Sequence, residues 1–402
     1  MKKRILRTLC TILLLSLLFS VVACNSSTPE ETEASTQKST EASTEASTEK
    51  PTQKPTEKPT EKPKTEDNNT SLSKKVYNIS KDWKNFKLLG RMQDVDGGVA
   101  CDFTASGIEF QGVMTGKVVL SLSCDRNTYF TVYIDGERVE ERFFADSNTY
   151  ELVIANFEGE ESHHVRVLKQ TEAQWSLSVL KSITVNGKLD DAPEKKDLYI
   201  EFIGDSITCG YGNLGDSSSP NPGTALWEDG TQAYAFLTAE ALGADCSVVG
   251  CSGIGIDKGW TDFSESDFYP KTSFYRDRNG ADYSFLRAPD VVVINLGTND
   301  QSRGSTEEEF KAGVRALINY VRDSYGTDMP IVWAYNMMGN GRFDWTKTVL
   351  EDMGGETDGL YYVQLNQNGA GTNGHPNLEA QKTAAVTLTE FIKTNVLKAD
   401  VQ

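Results

Sequence analysis

The chain has 402 residues and a net charge of −18, from 58 acidic and 40 basic side chains. That length exceeds what one compact core usually needs and calls for about two domains plus extra segments. The acidic balance excludes nucleic acid as a partner, and excludes anionic lipid recognised by charge.

The chain opens with Lys2, Lys3, Arg4 and Arg7, followed by an apolar run from Ile12 to Val22 and then Ala23-Cys24. The run is shorter than the ~20 residues of a spanning helix and reads as an export signal over residues 1–24. The small residues before the cysteine resemble the lipobox of a bacterial lipoprotein. That resemblance implies that Cys24 is lipidated and that the membrane is reached only through this anchor. The other reading is a plain secretory signal with an incidental cysteine. Cleavage would remove four basic and no acidic residues and leave the chain more acidic still.

Residues 25–75 carry no aromatic side chain and repeat Thr, Pro, Glu and Lys, as in "EASTEKPTQKPTEKPTEKPK". Such a segment has nothing to bury against the entropy of ordering, so an extended, disordered stalk is expected. Regular proline stiffens it beyond a Gly/Ser coil.

From 76 to 192 the runs 118–124, 129–139, 149–157, 163–171 and 176–188 are rich in β-formers. Asp135-Gly136 and Asn186-Gly187 read as turns between them. Short strands with few helix signals predict a β-sandwich of jelly-roll type. Five cysteines lie beyond Cys24: 101, 124, 209, 246 and 251. An odd count argues against a complete disulfide framework, and Cys101 with Cys124 is either a pair or two buried thiols.

From 196 to 400, strand-like runs (198–204, 246–250, 291–297, 330–336, 360–365) alternate with helix patterns over 231–243, 305–326 and 377–397. Ser305 and Glu308 are spaced as a capping box, and Gly243 and Gly326 as helix ends. Unbroken apolar strands alternating with helices predict a buried parallel sheet covered on both faces. In such sheets the chemistry lies at the carboxyl ends of the strands.

Those ends hold Gly204-Asp205-Ser206, Cys251-Ser252-Gly253, Gly297-Thr298-Asn299-Asp300 and, after the last strand, a loop with His375. A serine nucleophile needs a base. Of three histidines, His163 and His164 fall in the β-rich half and read as structural, which leaves His375. Ser206 N–H, Gly253 N–H and the Asn299 amide are candidate donors to an oxyanion. Each also has a plain reading as a turn or cap. No CxxC pair or histidine cluster has zinc spacing, and no cofactor is expected.

Taken in order, GDS, the glycine after the second strand, GTND and the late His-Pro resemble the blocks of SGNH (GDSL-type) hydrolases. The resemblance covers residues 198–400 and implies an α/β, flavodoxin-like, three-layer sandwich. It makes Ser206 the nucleophile, His375 the base, and Ser206, Gly253 and Asn299 the oxyanion hole. A β-sandwich in front is similar to carbohydrate esterase family 2, which implies deacetylation of plant polysaccharides such as xylan and mannan; a monomer is expected. Trp227, Trp260 and Tyr211 are weaker candidates for contact with a sugar. One departure stands out. SGNH enzymes usually carry an aspartate two or three residues before the histidine, where this chain has Thr372 and Asn373. His375 is then held by a backbone carbonyl, by Asn373, or by a distant acid such as Asp344 or Asp358. The alternatives are a GDSL-type esterase of another ester, including bacterial wall glycan, and a non-catalytic carbohydrate-binding lipoprotein.

Overall fold

The computed structural model describes residues 72–220, 225–273 and 280–398. The expectations for the signal, Cys24 and nearly all of the stalk fall outside these residues. Lys74 and Lys75, assigned to the stalk, instead open strand β1 (Lys74–Asn78), because Lys74 to Asn78 pair with Asn186 to Ser182.

Ten strands make up the first half: β1, β2 (Lys87–Leu89), β3 (Met92–Val95), β4 (Gly98–Cys101), β5 (Gly107–Cys124), β6 (Thr128–Ile134), β7 (Glu137–Arg138), β8 (Phe143–Ala145), β9 (Glu151–Lys169) and β10 (Ser178–Leu189). They form one continuous antiparallel network whose main path runs β3-β4-β10-β5-β9-β6-β7. The runs 149–157 and 163–171 merge into β9, which is 19 residues long. Its pairing with β5 shifts between Met114 and Gly116, where β9 carries extra residues as a bulge. Asn186-Gly187 is strand rather than turn. Gly187 is needed because a Cβ there would run into the carbonyl of Val113 on β5. Side chains from β4, β5, β6, β9 and β10 share one core that includes Phe110, Leu120, Val132, Val167 and Leu180. Cys101 and Cys124 are buried within it and form no disulfide, and the same holds for Cys209, Cys246 and Cys251 in the second half.

The second half is a parallel sheet of β11 (Tyr199–Gly204), β12 (Asp245–Gly250), β13 (Val291–Asn295), β14 (Ile331–Tyr335) and β15 (Leu360–Gln364), in the order β12-β11-β13-β14-β15. This is the flavodoxin-like order, and its switch point lies between β11 and β13. The helices are α1 (Ser206–Cys209), α2 (Tyr234–Ala241), α3 (Glu265–Phe268), α4 (Thr298–Arg303), α5 (Glu307–Tyr325), α6 (Phe343–Asp352) and α7 (Leu378–Phe391). One face of the sheet packs on α2 and α7, the other on α3, α5 and α6, each with its own apolar core. The cap of α5 falls one residue later than its spacing suggests. Thr306 accepts from Glu309 N–H, while the Ser305 hydroxyl turns to Asp300.

The halves meet through charged groups. Lys87 Nζ lies 2.7 Å from Asp245 Oδ1, and Arg166 grips Glu240 with two nitrogens at 2.8 and 2.6 Å. Arg91 is wholly buried with Glu201, 3.2 Å away, and also donates to the carbonyls of Tyr269 and Lys271. No helix among the described residues is long and apolar enough to cross a membrane.

Candidate active site

Each of the five parallel strands ends in a loop that feeds one cavity of about 480 Å³. Ser206 follows β11, Ser252 and Gly253 follow β12, and Thr298, Asn299 and Ser302 follow β13. Met338 follows β14, and Asn373 and His375 follow β15. The apolar strands are fixed by the two helical layers, and hydrogen bonds between the strand ends then set their polar groups against one another.

Ser206 opens α1. Asp205 caps this turn by accepting the Ile207 N–H at 3.0 Å, and Gly210 closes it at φ 77°. The Ser206 N–H therefore has no acceptor within the helix. The Ser206 hydroxyl lies 2.8 Å from His375 Nε2. On the other side of the ring, His375 Nδ1 faces the carbonyl of Asn373 at 3.3 Å. Neither Asp344 nor Asp358 bonds to the ring. Burial lowers the His375 pKa to about 4, against the opposing pull of the Asn373 and Thr372 carbonyls. The imidazole is thus neutral at ordinary pH and can accept a proton from Ser206.

Gly253 sits at φ 84°, which favours glycine, and its N–H makes no hydrogen bond among the described residues. Its loop is pinned on several sides. Cys251 N–H reaches the Gly204 carbonyl at 3.2 Å, and Trp260 N–H reaches the Gly253 carbonyl at 2.7 Å. Asn299 donates to the Ile254 carbonyl (2.9 Å) and to Asp205 Oδ2 (3.1 Å). Its amide protons are therefore both engaged, and one must be shared or released before it can serve a third acceptor. Asp205 is wholly buried, which raises its pKa to about 7, with Asp300 and Glu172 adding repulsion.

Of the aromatic candidates, Tyr211 and Trp260 line the cavity. The Tyr211 ring lies 4.7 Å from that of His375, and Trp260 donates to Ser302 beneath the Arg303 guanidinium. Trp227 does not line it; its indole donates to the Pro220 carbonyl. Sequence reasoning missed Gln174 and Trp175, which reach the cavity from the loop after β9. Trp175 stacks with Tyr211 at 6.2 Å and 18°. No strand-end rule points to it, because it comes from the other half of the chain. His163 and His164 stay away from the cavity; His163 bonds Asp135 at 2.8 Å and stacks on Phe157. Among the described residues no cluster of three or more His, Cys, Asp or Glu side chains could hold a metal ion.

A neutral imidazole on a serine hydroxyl, beside free main-chain N–H groups, is equipped for attack on an ester carbonyl. Comparison with known proteins agrees with that chemistry. Residues 202–383 match the GDSL-like lipase/acylhydrolase family, and residues 88–193 match the N-terminal domain of carbohydrate esterase family 2. The chain is 30% identical over 318 residues to a cellulase/esterase of Acetivibrio thermocellus, covering 74% of this chain but 38% of that longer protein. It is 32% identical over 207 residues to an acetylxylan esterase / glucomannan deacetylase of Cellvibrio japonicus, covering 45% of this chain and 56% of that one. A solved family two carbohydrate esterase from Clostridium thermocellum, in complex with cellohexaose, is similar at 28% identity with a TM-score of 0.71, over 77% of this chain and 98% of that one. The chain therefore carries a GDSL-like lipase/acylhydrolase domain over residues 202–383, preceded over residues 88–193 by the N-terminal domain of carbohydrate esterase family 2.

Proposed function

We propose that this protein is an exported serine esterase that removes O-acetyl groups from cell-wall polysaccharides of the xylan or mannan type. The observation that carries the reading is the 2.8 Å approach of His375 Nε2 to Ser206 Oγ inside the cavity at the strand ends. Ser206 Oγ attacks the acetyl carbonyl and its proton passes to His375 Nε2. The negative oxygen is met by the N–H groups of Ser206 and Gly253 and by a redirected Asn299 amide. The C–O bond to the sugar then breaks and the proton returns to the sugar oxygen. Water attacks the acetyl-enzyme with His375 again as base, acetate leaves, and Ser206 regains its proton. Export with lipidation at Cys24 and a stalk from residue 25 to the start of β1 would hold a monomeric enzyme at the cell surface, where such polymers are met.

Supporting the substrate class are the names of the relatives and an open cavity flanked by Trp175, Tyr211 and Trp260. The test is hydrolysis of p-nitrophenyl acetate by the wild type and by Ser206→Ala, followed by acetate release from acetylated xylan, glucomannan and peptidoglycan. Ser206-dependent release from the plant polymers is expected. Release from peptidoglycan alone would move the substrate to bacterial wall glycan, and no Ser206-dependent hydrolysis would leave a binding protein.

A further inference from the structure

Two buried carboxylates are exchanged across the contact between the halves, next to the cavity. Glu172, in the loop after β9, is wholly buried. Its Oε2 accepts the Ser252 N–H at 2.6 Å, and its Oε1 accepts the Ser252 hydroxyl and, at 2.7 Å, the Gln174 amide. In return Glu228, which precedes α2, accepts the Glu172 N–H at 2.5 Å and the Trp175 indole N–H at 2.7 Å. Lys169 closes the group, its ammonium held by the carbonyls of Asp102, Thr171 and Glu172.

Stability alone does not favour this arrangement. Burial raises the pKa of Glu172, and burial together with Glu172 raises that of Glu228. Well-packed apolar residues of similar volume would often hold such a contact at least as firmly. What the carboxylates add is direction. Ser252 is the residue before Gly253, and its two donors both end on Glu172. Together with Cys251 on the Gly204 carbonyl, this fixes the peptide that carries the Gly253 N–H.

We propose that Glu172 is a positioning residue for the oxyanion hole: the β-rich half sets the Gly253 N–H through Ser252 and is thereby part of the catalytic apparatus. The inference rests on the serine-esterase reading above. The charge of Glu172 acts on Ser252, not on the ester, so its loss weakens transition-state binding more than substrate binding.

The experiment compares full-length wild type, Glu172→Gln, Glu240→Gln and Ser206→Ala with p-nitrophenyl acetate. Thermal melting and inhibition by a boronic acid, which forms a tetrahedral adduct on a reactive serine, are measured in parallel. Glu240→Gln breaks an ion pair between the same halves away from the cavity and controls for loss of stability. Glu172→Gln removes the charge and turns an amide N–H toward either the Ser252 main-chain N–H or the Gln174 amide, both donors; kcat is expected to fall about 10-fold or more, KM to stay within about threefold, and the boronate Ki to rise in step with the loss of kcat/KM. Glu240→Gln is expected to lower Tm while kcat stays within about twofold. Where Glu172→Gln shows no cooperative melt, Ser252→Ala, which removes one of the two bonds, is expected to lower kcat at least about threefold at unchanged KM. Wild-type kcat in Glu172→Gln, or in Ser252→Ala where that variant stands in, overturns the proposal. So does a loss of kcat in Glu172→Gln no greater than in Glu240→Gln at matched Tm. Hydrolysis that survives Ser206→Ala would instead overturn the esterase reading, and this inference with it.

Discussion

The carbonyl of Asn373 stands 3.3 Å from His375 Nδ1, the side of the ring opposite Ser206. Asn373 has φ 55°, a left-handed conformation that asparagine tolerates better than most residues, and this turn places its carbonyl against a ring only two residues on. A carbonyl fixes the tautomer with the proton on Nδ1 but adds no negative charge to stabilise an imidazolium. Burial then dominates and draws the His375 pKa to about 4. The acid limb of kcat/KM is accordingly expected near pH 4 rather than near pH 6.5. Asn373→Asp, which sets a carboxylate beside the ring, is expected to move that limb up by about 1 unit. A limb near pH 6.5 in the wild type would show that the imidazole is not buried as described.

No single carboxylate should matter as much as Ser206. Asp344→Ala and Asp358→Ala are each expected to keep most of wild-type kcat, while Ser206→Ala loses activity to background. Asn299→Ala removes the proposed third oxyanion donor and should cost about 10²–10³ in kcat with a smaller change in KM. Steady-state kinetics on p-nitrophenyl acetate checks all four variants; an aspartate variant as dead as Ser206→Ala would show that a full triad operates.

Asp205 and His375 should pull the pH dependence of stability in opposite directions. The Asp205 pKa is about 7 in the fold against 3.8 as its ordinary value, so between these limits the native state holds more protons than the unfolded chain. This contribution falls as pH rises from about 4 to about 7. The His375 pKa is about 4 against 6.5, so the native state holds fewer protons in that window and its contribution rises with pH. Denaturant unfolding between pH 4 and 7 separates them. Stability of Asp205→Asn relative to the wild type should grow with pH, and that of His375→Gln should fall.

Arg91 offers a test of the contact between the halves. It is wholly buried, and Glu201 beside it also accepts from Tyr269 (2.5 Å) and Tyr325 (3.2 Å). Arg91→Leu strands a buried carboxylate and should cost about 3–5 kcal/mol in urea unfolding. Arg91→Leu with Glu201→Gln should recover part of that loss, because the uncompensated charge is then gone.

Ser206, Gly253, Asn299 and His375 were legible in the sequence because each follows a β-run, and a parallel sheet gathers the ends of its strands. The strands themselves were legible because burial on both faces leaves unbroken apolar runs such as Val291 to Ile294 in β13. The length of β9 was not, because its bulge over acidic residues looks like a break. Nor were Glu172 and Glu228 visible. Their partners lie 80 and 56 positions away, and a lone glutamate carries no periodic signal. The Asn299 amide shows a further limit. Its residue type and place were readable, but its engagement by Asp205 and the Ile254 carbonyl was not.

The same limit explains the exchange of Trp227 for Trp175. Both are indoles near the chemistry in sequence or in space, but Trp227 spends its N–H on Pro220 and does not line the cavity. Trp175 is held by Glu228 and stacked with Tyr211, so it presents a fixed apolar edge to whatever enters beside His375. A ring held in this way costs little ordering entropy when a sugar stacks on it. Trp175→Ala is expected to raise KM for acetylated xylo- or manno-oligosaccharides about 10-fold while changing kcat/KM for p-nitrophenyl acetate, which has no sugar to stack, by less than about threefold. Trp227→Ala should leave both within about twofold. Equal losses on both substrates in Trp175→Ala would mean that the indole acts through Glu228 and Glu172 on the catalytic groups rather than on the sugar.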